Sequence, residues 1–382
     1  MRDDVPRVRF VPAEGEPGWE VAGISVRERT RRALAQAGIA ASSKQPSAAE
    51  LLIAADALLE PGAVRSLLDG AADPELAVAP PGGEPPAALR VPADTRAPGN
   101  ADDLAALAER FRAEGRLRFA EPGDARCCRI RSAEGARRVE REMLAGLVRP
   151  TDGFFARHFD RHLSIRLSLV LVRWGLHPNW ITALATGVAL LGAGLLASVD
   201  RPLQVLGALV FIFATVLDGC DGEVARLSLR TSRLGGRLDL IGDNIGNAAV
   251  FAAIGYASFR AQPTPLMEAA VGLALCGLAL ATVAGFWYST WLERSGRGEA
   301  VRNTYESAVS RDFAYLILVL AAIGKLSWLV WATAVGSNLF ALLVVVLRLH
   351  EWPRVAAAAG EAMGRERAAR VIASAPDRGC GP

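Results

Sequence analysis

The sequence predicts an all-α bundle of six transmembrane helices, preceded by an interfacial amphipathic helix and by a small N-terminal α/β domain. The first observation is a change of composition near Pro150, where mixed charged and apolar residues give way to long apolar stretches. The second is a pair of aspartates at the end of one apolar stretch and another pair at the start of the next. A chain of 382 residues is also long for a single domain.

Residues 1–150 have the pattern of a small cytoplasmic α/β domain. The predicted elements are a helix over 24–39, a strand over 49–56, a helix over 61–68 and a loose connection rich in proline and glycine over 79–99. The strand ends at Asp56, which follows the apolar run LLIAA.

Residues 151–177 predict an amphipathic juxtamembrane helix. Its apolar side chains recur at helical spacing with arginines between them: Phe154, Phe155, Phe159, Leu163, Leu167 and Val170. Such a helix either lies on the cytoplasmic leaflet or packs on the front domain, and the apolar segments that begin directly after it favour the membrane. Pro178 ends it, because proline disfavours helical conformation in the preceding residue.

Residues 178–350 contain six predicted spans, most of them near the ~20 residues that cross a bilayer. They are 179–199, 202–227, 236–259, 265–292, 312–328 and 330–349. Alternate connections carry eight arginines on one side and three cationic residues on the other, so the arginine-rich side, both termini and the aspartates should be cytoplasmic. These features predict a multi-pass protein of the inner membrane, with a cytoplasmic tail over 351–382 to which no function is assigned.

Composition excludes several classes of function. The net charge of +3 gives no basis for nucleic-acid binding. The five cysteines lack CxxC spacing and are predicted to be free thiols, and the four histidines lack metal-ligand spacing. Charged residues follow Met1 directly, so no cleavable signal peptide is expected.

Four aspartates carry the chemistry of the predicted bundle. Asp218 and Asp221 are spaced i,i+3, and Asp239 and Asp243 are spaced i,i+4, so each pair shares one helix face. A carboxylate at the bilayer core costs about 2.5–3.5 kcal/mol on insertion scales. Helix capping or pairing with nearby arginines explains one such aspartate, but four at these intervals indicate a site for two hard divalent cations that handles phosphate.

The spacing from Asp218 to Asp243 is D-x2-D-G-x2-A-R-x8-G-x3-D-x3-D. It matches at every position the signature of the CDP-alcohol phosphotransferase (CDP-alcohol phosphatidyltransferase) family, membrane enzymes that build phospholipids. The resemblance covers about residues 154–350. It implies a transferase that moves a phosphatidyl or phospho-polyol group from a CDP-alcohol to an acceptor hydroxyl and releases CMP.

The resemblance also implies roles for individual residues. Asp218, Asp221, Asp239 and Asp243 would hold two Mg²⁺ or Mn²⁺ ions, and Asp243 would be the general base. The CDP-binding residues would be Asp221, Gly222, Ala225, Arg226 and Gly235. Arg226 would pair with the diphosphate, because its planar guanidinium matches phosphate oxygens.

The acceptor alcohol is not named by the sequence, and an inositol phosphate or another polyol is expected. The candidates for binding an acceptor phosphate are Arg230, Arg233, Arg237, Arg302 and Arg311. The alternative for each is a positive-inside residue that contacts anionic headgroups. Arg311 is favoured, because a similar arginine opens a span in inositol-phosphate-using relatives.

The front domain followed by this bundle resembles the bifunctional inositol-phosphate cytidylyltransferase/phosphotransferase proteins. The strand ending at Asp56 is similar to the strand with a metal-binding aspartate in nucleotidyltransferases. The Gly-rich phosphate loop and its lysine are absent from the sequence, so the domain is predicted to be a degenerate, non-catalytic relative. An unrelated α/β domain that regulates or docks is the alternative.

The predicted protein binds a CDP-linked lipid or polyol, an acceptor alcohol and membrane lipids, and the resemblance implies a homodimer. Two other classes stay open. An ion-coupled transporter predicts aspartates at the membrane midplane, whereas these cluster near one face. A catalytically inactive membrane anchor for the front domain does not need an intact signature.

Overall fold

The structure, a computed structural model, describes residues 6–13, 18–39, 49–69, 76–79, 85–148, 159–295 and 313–346. They divide into two compact units. The first unit holds the described residues of Met1–Arg149, Arg157–Leu184 and Val216–Leu240. The second holds those of Ala185–Thr215 and Ile241–Pro382.

The front domain, which we define as residues 6–148, is an α/β fold as predicted. Its strands are β1 (Arg7–Val11), β2 (Glu20–Val21), β3 (Ile24–Ser25), β4 (Ala49–Ala54), β5 (Ala57–Leu59), β6 (Leu76–Val78), β7 (Ala88–Pro92), β8 (Arg118–Phe119) and β9 (Cys127–Arg129). Its helices are α1 (Val26–Gln36), α2 (Pro61–Asp69), α3 (Asp103–Ala113) and α4 (Ala133–Ala145). The two predicted helices and the predicted strand are confirmed as α1, α2 and β4.

The main sheet is mixed, with the strand order β1-β4-β7-β6-β8. β4 pairs parallel to β1 and antiparallel to β7, and all six of its residues are buried. The loose connection predicted over 79–99 is wrong at its centre, since β7 lies there. Proline and glycine flank the short apolar run of β7, and pairing with β4 and β6 outweighs their breaking tendency.

Seven helices follow the front domain among the described residues. They are α5 (Arg161–Arg173), α6 (Pro178–Leu196), α7 (Arg201–Leu227), α8 (Arg233–Ala261), α9 (Pro265–Ser295), α10 (Phe313–Ile323) and α11 (Leu326–Val346). Each of the first four predicted spans thus corresponds to a helix. The boundary predicted between the last two spans, at 328–330, is wrong, because the two final helices separate at Gly324, which has a φ of +68°, and α11 continues through 328–330.

Four of these helices are long and apolar enough to cross a membrane: α6, α7, α9 over Pro265–Gly285, and α11. The six-span count is therefore met only in part within the described residues. α8 carries arginines and aspartates in its first turns, and α10 has 11 residues. The charged start of α8 and the short length of α10 keep both below the apolar length that a bilayer requires.

Close packing in the second unit depends on small residues. A Cβ atom on Gly207 would lie 2.8 Å from the carbonyl oxygen of Gly192, so α6 and α7 approach each other at these two positions. The rings of Phe211 and Phe251 both pack on Phe313, with centroids 5.9 and 5.8 Å away. The close approach of α6 and α7 at Gly192 and Gly207 is typical of helices that associate in membranes.

Candidate metal centre

Three carboxylates come together where α7 ends and α8 begins. Asp218 and Asp221 lie on the last turns of α7, and Asp239 lies on the second turn of α8. One oxygen from each lies within 4.8 Å of the others. Asp221 is buried, and the other two are half-buried. Three hard oxygen donors at this separation fit a divalent cation such as Mg²⁺ or Mn²⁺.

Asp221 is oriented by a hydroxyl group from α6. The Thr182 Oγ1 donates a hydrogen bond to Oδ2 of Asp221, and Thr182 is itself buried in the first turn of α6. A hydrogen bond of this kind sets the direction of a carboxylate that is to ligate a metal. Sequence reasoning assigned no role to Thr182, which lies near the start of the first predicted span.

The two glycines of the signature have separate steric reasons. A Cβ on Gly222 would lie 3.3 Å from Nη1 of Arg226, so the glycine leaves room for that guanidinium along the surface of α7. A Cβ on Gly235 would lie 3.0 Å from Oγ of Ser232 and 3.3 Å from Oδ1 of Asn179. Both glycines therefore allow close packing beside the aspartates.

A fourth acidic residue, Glu223, is fully buried between α7 and α5. Its Oε1 accepts hydrogen bonds from Nη1 of Arg161 and Oγ of Ser164, both at 2.7 Å, and its Oε2 accepts one from Oγ of Ser168 at 2.8 Å. These three donors satisfy the carboxylate and fasten α5 to the helix that carries Asp218 and Asp221.

Sequence reasoning missed this network. The available signal was the spacing of Arg161, Ser164 and Ser168, which puts three polar residues on one face of the helix. On the same helix Leu163 and Val170 are exposed, as are Phe159 just before it and Trp174 just after it. Phe154 and Phe155 lie outside the described residues, and the interfacial position of α5 stays a prediction.

The other predicted site residues have varied environments. Asp243 lies four residues after Asp239 on α8 and is half-buried, as is Ala225 on α7. Arg230 donates a hydrogen bond from Nη1 to the carbonyl oxygen of Gly175 at 3.3 Å. Arg233 and Arg237 are exposed on the first turns of α8. Arg302 and Arg311 lie outside the described residues, so their roles stay predictions.

In the front domain, Asp56 is engaged by arginines. Nε of Arg129 lies 2.9 and 3.1 Å from the two carboxylate oxygens of Asp56, and Nε of Arg131 lies 3.8 Å away. The Arg129 side chain is only 2% exposed. A carboxylate paired in this way is poorly suited to hold a metal ion, and the loss of nucleotidyltransferase chemistry stays a prediction.

Apolar helices of membrane-spanning length and a carboxylate cluster define a membrane protein with a candidate metal centre. Residues 175–337 match the CDP-alcohol phosphatidyltransferase family. This match covers less than half of the chain, and the members of the matched family are transferases of phosphate groups.

Among curated proteins, the chain is similar to two proteins that are each named "Bifunctional IPC transferase and DIPP synthase". The protein from Thermococcus kodakarensis is 33% identical over 178 residues, which cover 46% of this chain and 38% of that protein. The protein from Archaeoglobus fulgidus is 28% identical over 205 residues, covering 53% of this chain and 40% of that one. The chain thus spans less than half the length of the relatives that it matches.

Among solved structures, the chain is similar to Mycobacterium tuberculosis phosphatidylinositol phosphate synthase (PgsA1). The crystal structure with CDP-DAG bound is 25% identical, with a TM-score of 0.38, and covers 50% of this chain and 92% of that chain. The complex with manganese and citrate is also 25% identical, with a TM-score of 0.37, and covers 49% of this chain and 87% of that chain.

Proposed function

We propose that this protein is an integral membrane enzyme of phospholipid synthesis that transfers a phosphate-linked alcohol from a CDP-alcohol to an acceptor hydroxyl and releases CMP. The convergence of Asp218, Asp221 and Asp239 is the observation that carries the proposal. Three carboxylates beside apolar helices would repel one another, and divalent cations that also bind a diphosphate would remove that repulsion. The match to the CDP-alcohol phosphatidyltransferase family supports the same chemistry.

The four signature aspartates would hold two divalent cations, Mg²⁺ or Mn²⁺. When bound, these ions supply positive charge that offsets the diphosphate and the departing CMP. Thr182 keeps Asp221 oriented toward the site. Arg226 pairs with the diphosphate oxygens, and the small residues Gly222 and Ala225 leave the surface of α7 open for the cytidine.

Asp243 is the proposed general base, and its carboxylate accepts the proton of the acceptor hydroxyl. The acceptor oxygen then forms a bond to the β-phosphorus, the one that carries the alcohol. The bond from this phosphorus to the bridging oxygen breaks, and CMP leaves with the electron pair. Gly235, near the start of α8, leaves room for Ser232 and for Asn179 one turn before Asp239.

The proposed donor is CDP-diacylglycerol or a CDP-polyol, and the acceptor is an inositol phosphate or another polyol. The resemblance of the sequence to the bifunctional inositol-phosphate cytidylyltransferase/phosphotransferase proteins supports an inositol phosphate. Arg230, Arg233, Arg237, Arg302 and Arg311 are the proposed contacts for an acceptor phosphate. We further propose a homodimer in the inner membrane, with the site and both termini on the cytoplasmic side.

The test is CMP release by the full-length protein in detergent with Mn²⁺ or Mg²⁺. CDP-diacylglycerol and a CDP-polyol are each offered with a panel of inositol, inositol phosphate and glycerol phosphate. We expect release with one donor–acceptor pair, and loss of it in Asp239→Asn. Asp200→Asn is the matched control, because Asp200 is an exposed aspartate just before α7, at the other end from the site. Failure of every pair, or full activity in Asp239→Asn, would reject the proposal and favour a transporter or an inactive anchor.

A further inference from the structure

The turn between α7 and α8, residues Ser228–Ser232, joins the two halves of the metal centre. At the end of α7 the amide of Leu229 donates to the carbonyl of Arg226 at 3.3 Å, and the amide of Arg230 donates to that of Ala225 at 2.8 Å. This is the hydrogen-bond pattern of a Schellman cap. Oγ of Ser232 accepts from the amide of Gly235 at 2.9 Å and so caps the start of α8.

Leu229 occupies the position of this cap at which glycine is usual. Its φ is +52°, in the left-handed region, where a residue with a Cβ atom costs about 1–2 kcal/mol. A leucine here needs a compensating contact, and the structure provides one. Its side chain packs against the main hydrophobic core of the front domain, which is built around β4, β7 and α1.

Two side chains of α1 hold the same turn by hydrogen bonds. Nη1 of Arg32 donates to the carbonyl oxygen of Ser228 at 2.9 Å. Nε2 of Gln36, one helical turn later, donates to the carbonyl oxygen of Leu229 at 2.8 Å and to Oγ1 of Thr231 at 3.1 Å. Terminal carbonyls of a helix have no partners within the helix, and a cation is favourable there, so Arg32 caps α7 from a separate domain.

Arg32 is itself held in place. Its Nε lies 2.8 Å from Oε1 of Glu28, one turn earlier on α1. The neighbouring Arg31 pairs with the other oxygen of Glu28 at 2.7 Å. Arg31 therefore shares the helix, the charge and the acidic partner of Arg32, but among the described residues no hydrogen bond or ion pair joins it to the turn.

A short turn that is held at both helix ends limits how those helices can move against each other. Asp221 lies seven residues before Ser228, and Asp239 lies seven residues after Ser232. A functional constellation must be kept within about 0.5 Å of its productive geometry, and fixed supporting residues provide this. The contacts of the front domain therefore act where the separation of the carboxylates is set.

We propose that Arg32, Gln36 and Leu229 form a joint through which the front domain positions Asp239 relative to Asp218 and Asp221. The front domain thereby serves the transferase site as a positioning element, without nucleotidyltransferase chemistry of its own. This inference rests on the proposed metal-dependent transfer. It identifies Arg32 and Gln36 as positioning residues, since they act on the turn and not on the substrate.

The test compares Leu229→Gly, Arg32→Met and Gln36→Ala with Arg31→Met as the matched control, all in the full-length protein in detergent. Two readouts are taken: the Mn²⁺ concentration for half-maximal CMP release, and direct Mn²⁺ binding by electron paramagnetic resonance. We expect each joint variant to weaken both by about tenfold, the lower end of what outer-shell changes cost in metal affinity. Arg31→Met should match the wild type, and Arg32→Lys should recover part of the loss.

Leu229→Gly is the most informative variant. Glycine removes the backbone strain at φ +52°, so a leucine that served only as a helix cap would give a variant at least as stable as the wild type, with unchanged Mn²⁺ affinity. That result, or wild-type Mn²⁺ affinity in Arg32→Met and Gln36→Ala, would reject the proposal that the joint positions Asp239. A wild type that releases no CMP but binds Mn²⁺, with the binding lost in the joint variants, would reject the transfer reaction and keep the joint.

Discussion

The aspartates of the front domain and those of the α7–α8 pair differ in the charged groups that surround them. In the front domain the carboxylate of Asp56 is paired with the guanidinium groups of Arg129 and Arg131. At the junction of α7 and α8, three carboxylates lie within 4.8 Å of one another. The cations beside Asp56 are thus arginines of the protein itself, whereas the three carboxylates at the junction of α7 and α8 form the arrangement at which we propose that divalent cations bind.

The largest expected effect is on the reaction. Asp243→Asn should lower the rate of CMP release by about 10²–10⁴-fold, the usual contribution of a general base. Asp56→Asn should leave the rate per folded enzyme unchanged, because the front domain is proposed to be non-catalytic. Both rates are measured at saturating Mn²⁺ on folded, monodisperse protein. A large loss of CMP release in Asp56→Asn would contradict a non-catalytic front domain.

The next effect concerns stability in the helical part. Glu223→Ala removes the partner of Arg161 and of two buried hydroxyls, which should cost about 3–5 kcal/mol, as loss of one member of a buried ion pair does. Thermal denaturation in detergent measures it. Ser168→Ala removes only one of the three hydrogen bonds and should cost about 1 kcal/mol. Equal stability of the two variants would contradict a network centred on Glu223.

A smaller loss of stability is expected when the buried ion pair of the front domain, Asp56 with Arg129, is broken. Asp56→Ala leaves the buried guanidinium of Arg129 without its main partner and should cost about 3 kcal/mol. The loss is smaller because Asp102 remains 3.2 Å from Nη1 of Arg129. Asp102→Ala provides the comparison, since that side chain is largely exposed and its removal should cost under about 1 kcal/mol.

The smallest expected effect is an increase in the free energy of unfolding. Arg29 is 1% exposed, and burial lowers the pKa of its guanidinium to about 10. A base with a lowered pKa in the folded state destabilises the fold while it is charged, and this cost fades only as pH rises above about 10. Arg29→Met should therefore raise the free energy of unfolding at pH 7 by about 1–2 kcal/mol.

The gain in Arg29→Met is reduced by the loss of one hydrogen bond, from Nη2 of Arg29 to the carbonyl oxygen of Val21 at 3.1 Å. Chemical denaturation at pH 7 and at pH 10.5 measures it, and the advantage of the variant should shrink at the higher pH. A lower stability of the variant at pH 7 would show that Arg29 is a favourable part of the core.

Several features of the fold and site were predictable because they depend on residues close together in the chain. The i,i+3 and i,i+4 spacing of the aspartates sets a shared helix face, and apolar length sets which helices can span a bilayer. β7 was not predictable in this way, since a five-residue strand between prolines is stabilised by its neighbours β4 and β6. The hydroxyl of Thr182 was also missed, because its partner Asp221 is 39 residues away.

The sequence by itself determined that Asp218 shares a helix face with Asp221, and Asp239 with Asp243, because helical periodicity converts spacing directly into direction. Only the tertiary structure decided what surrounds them. Glu223 lies 62 residues from Arg161, and Ser228 lies 196 residues from Arg32. Neither pairing leaves a local pattern, since burial and hydrogen bonding between distant segments depend on how the whole first unit packs. The left-handed Leu229 has the same origin, because its strain is compensated by a core that other residues build.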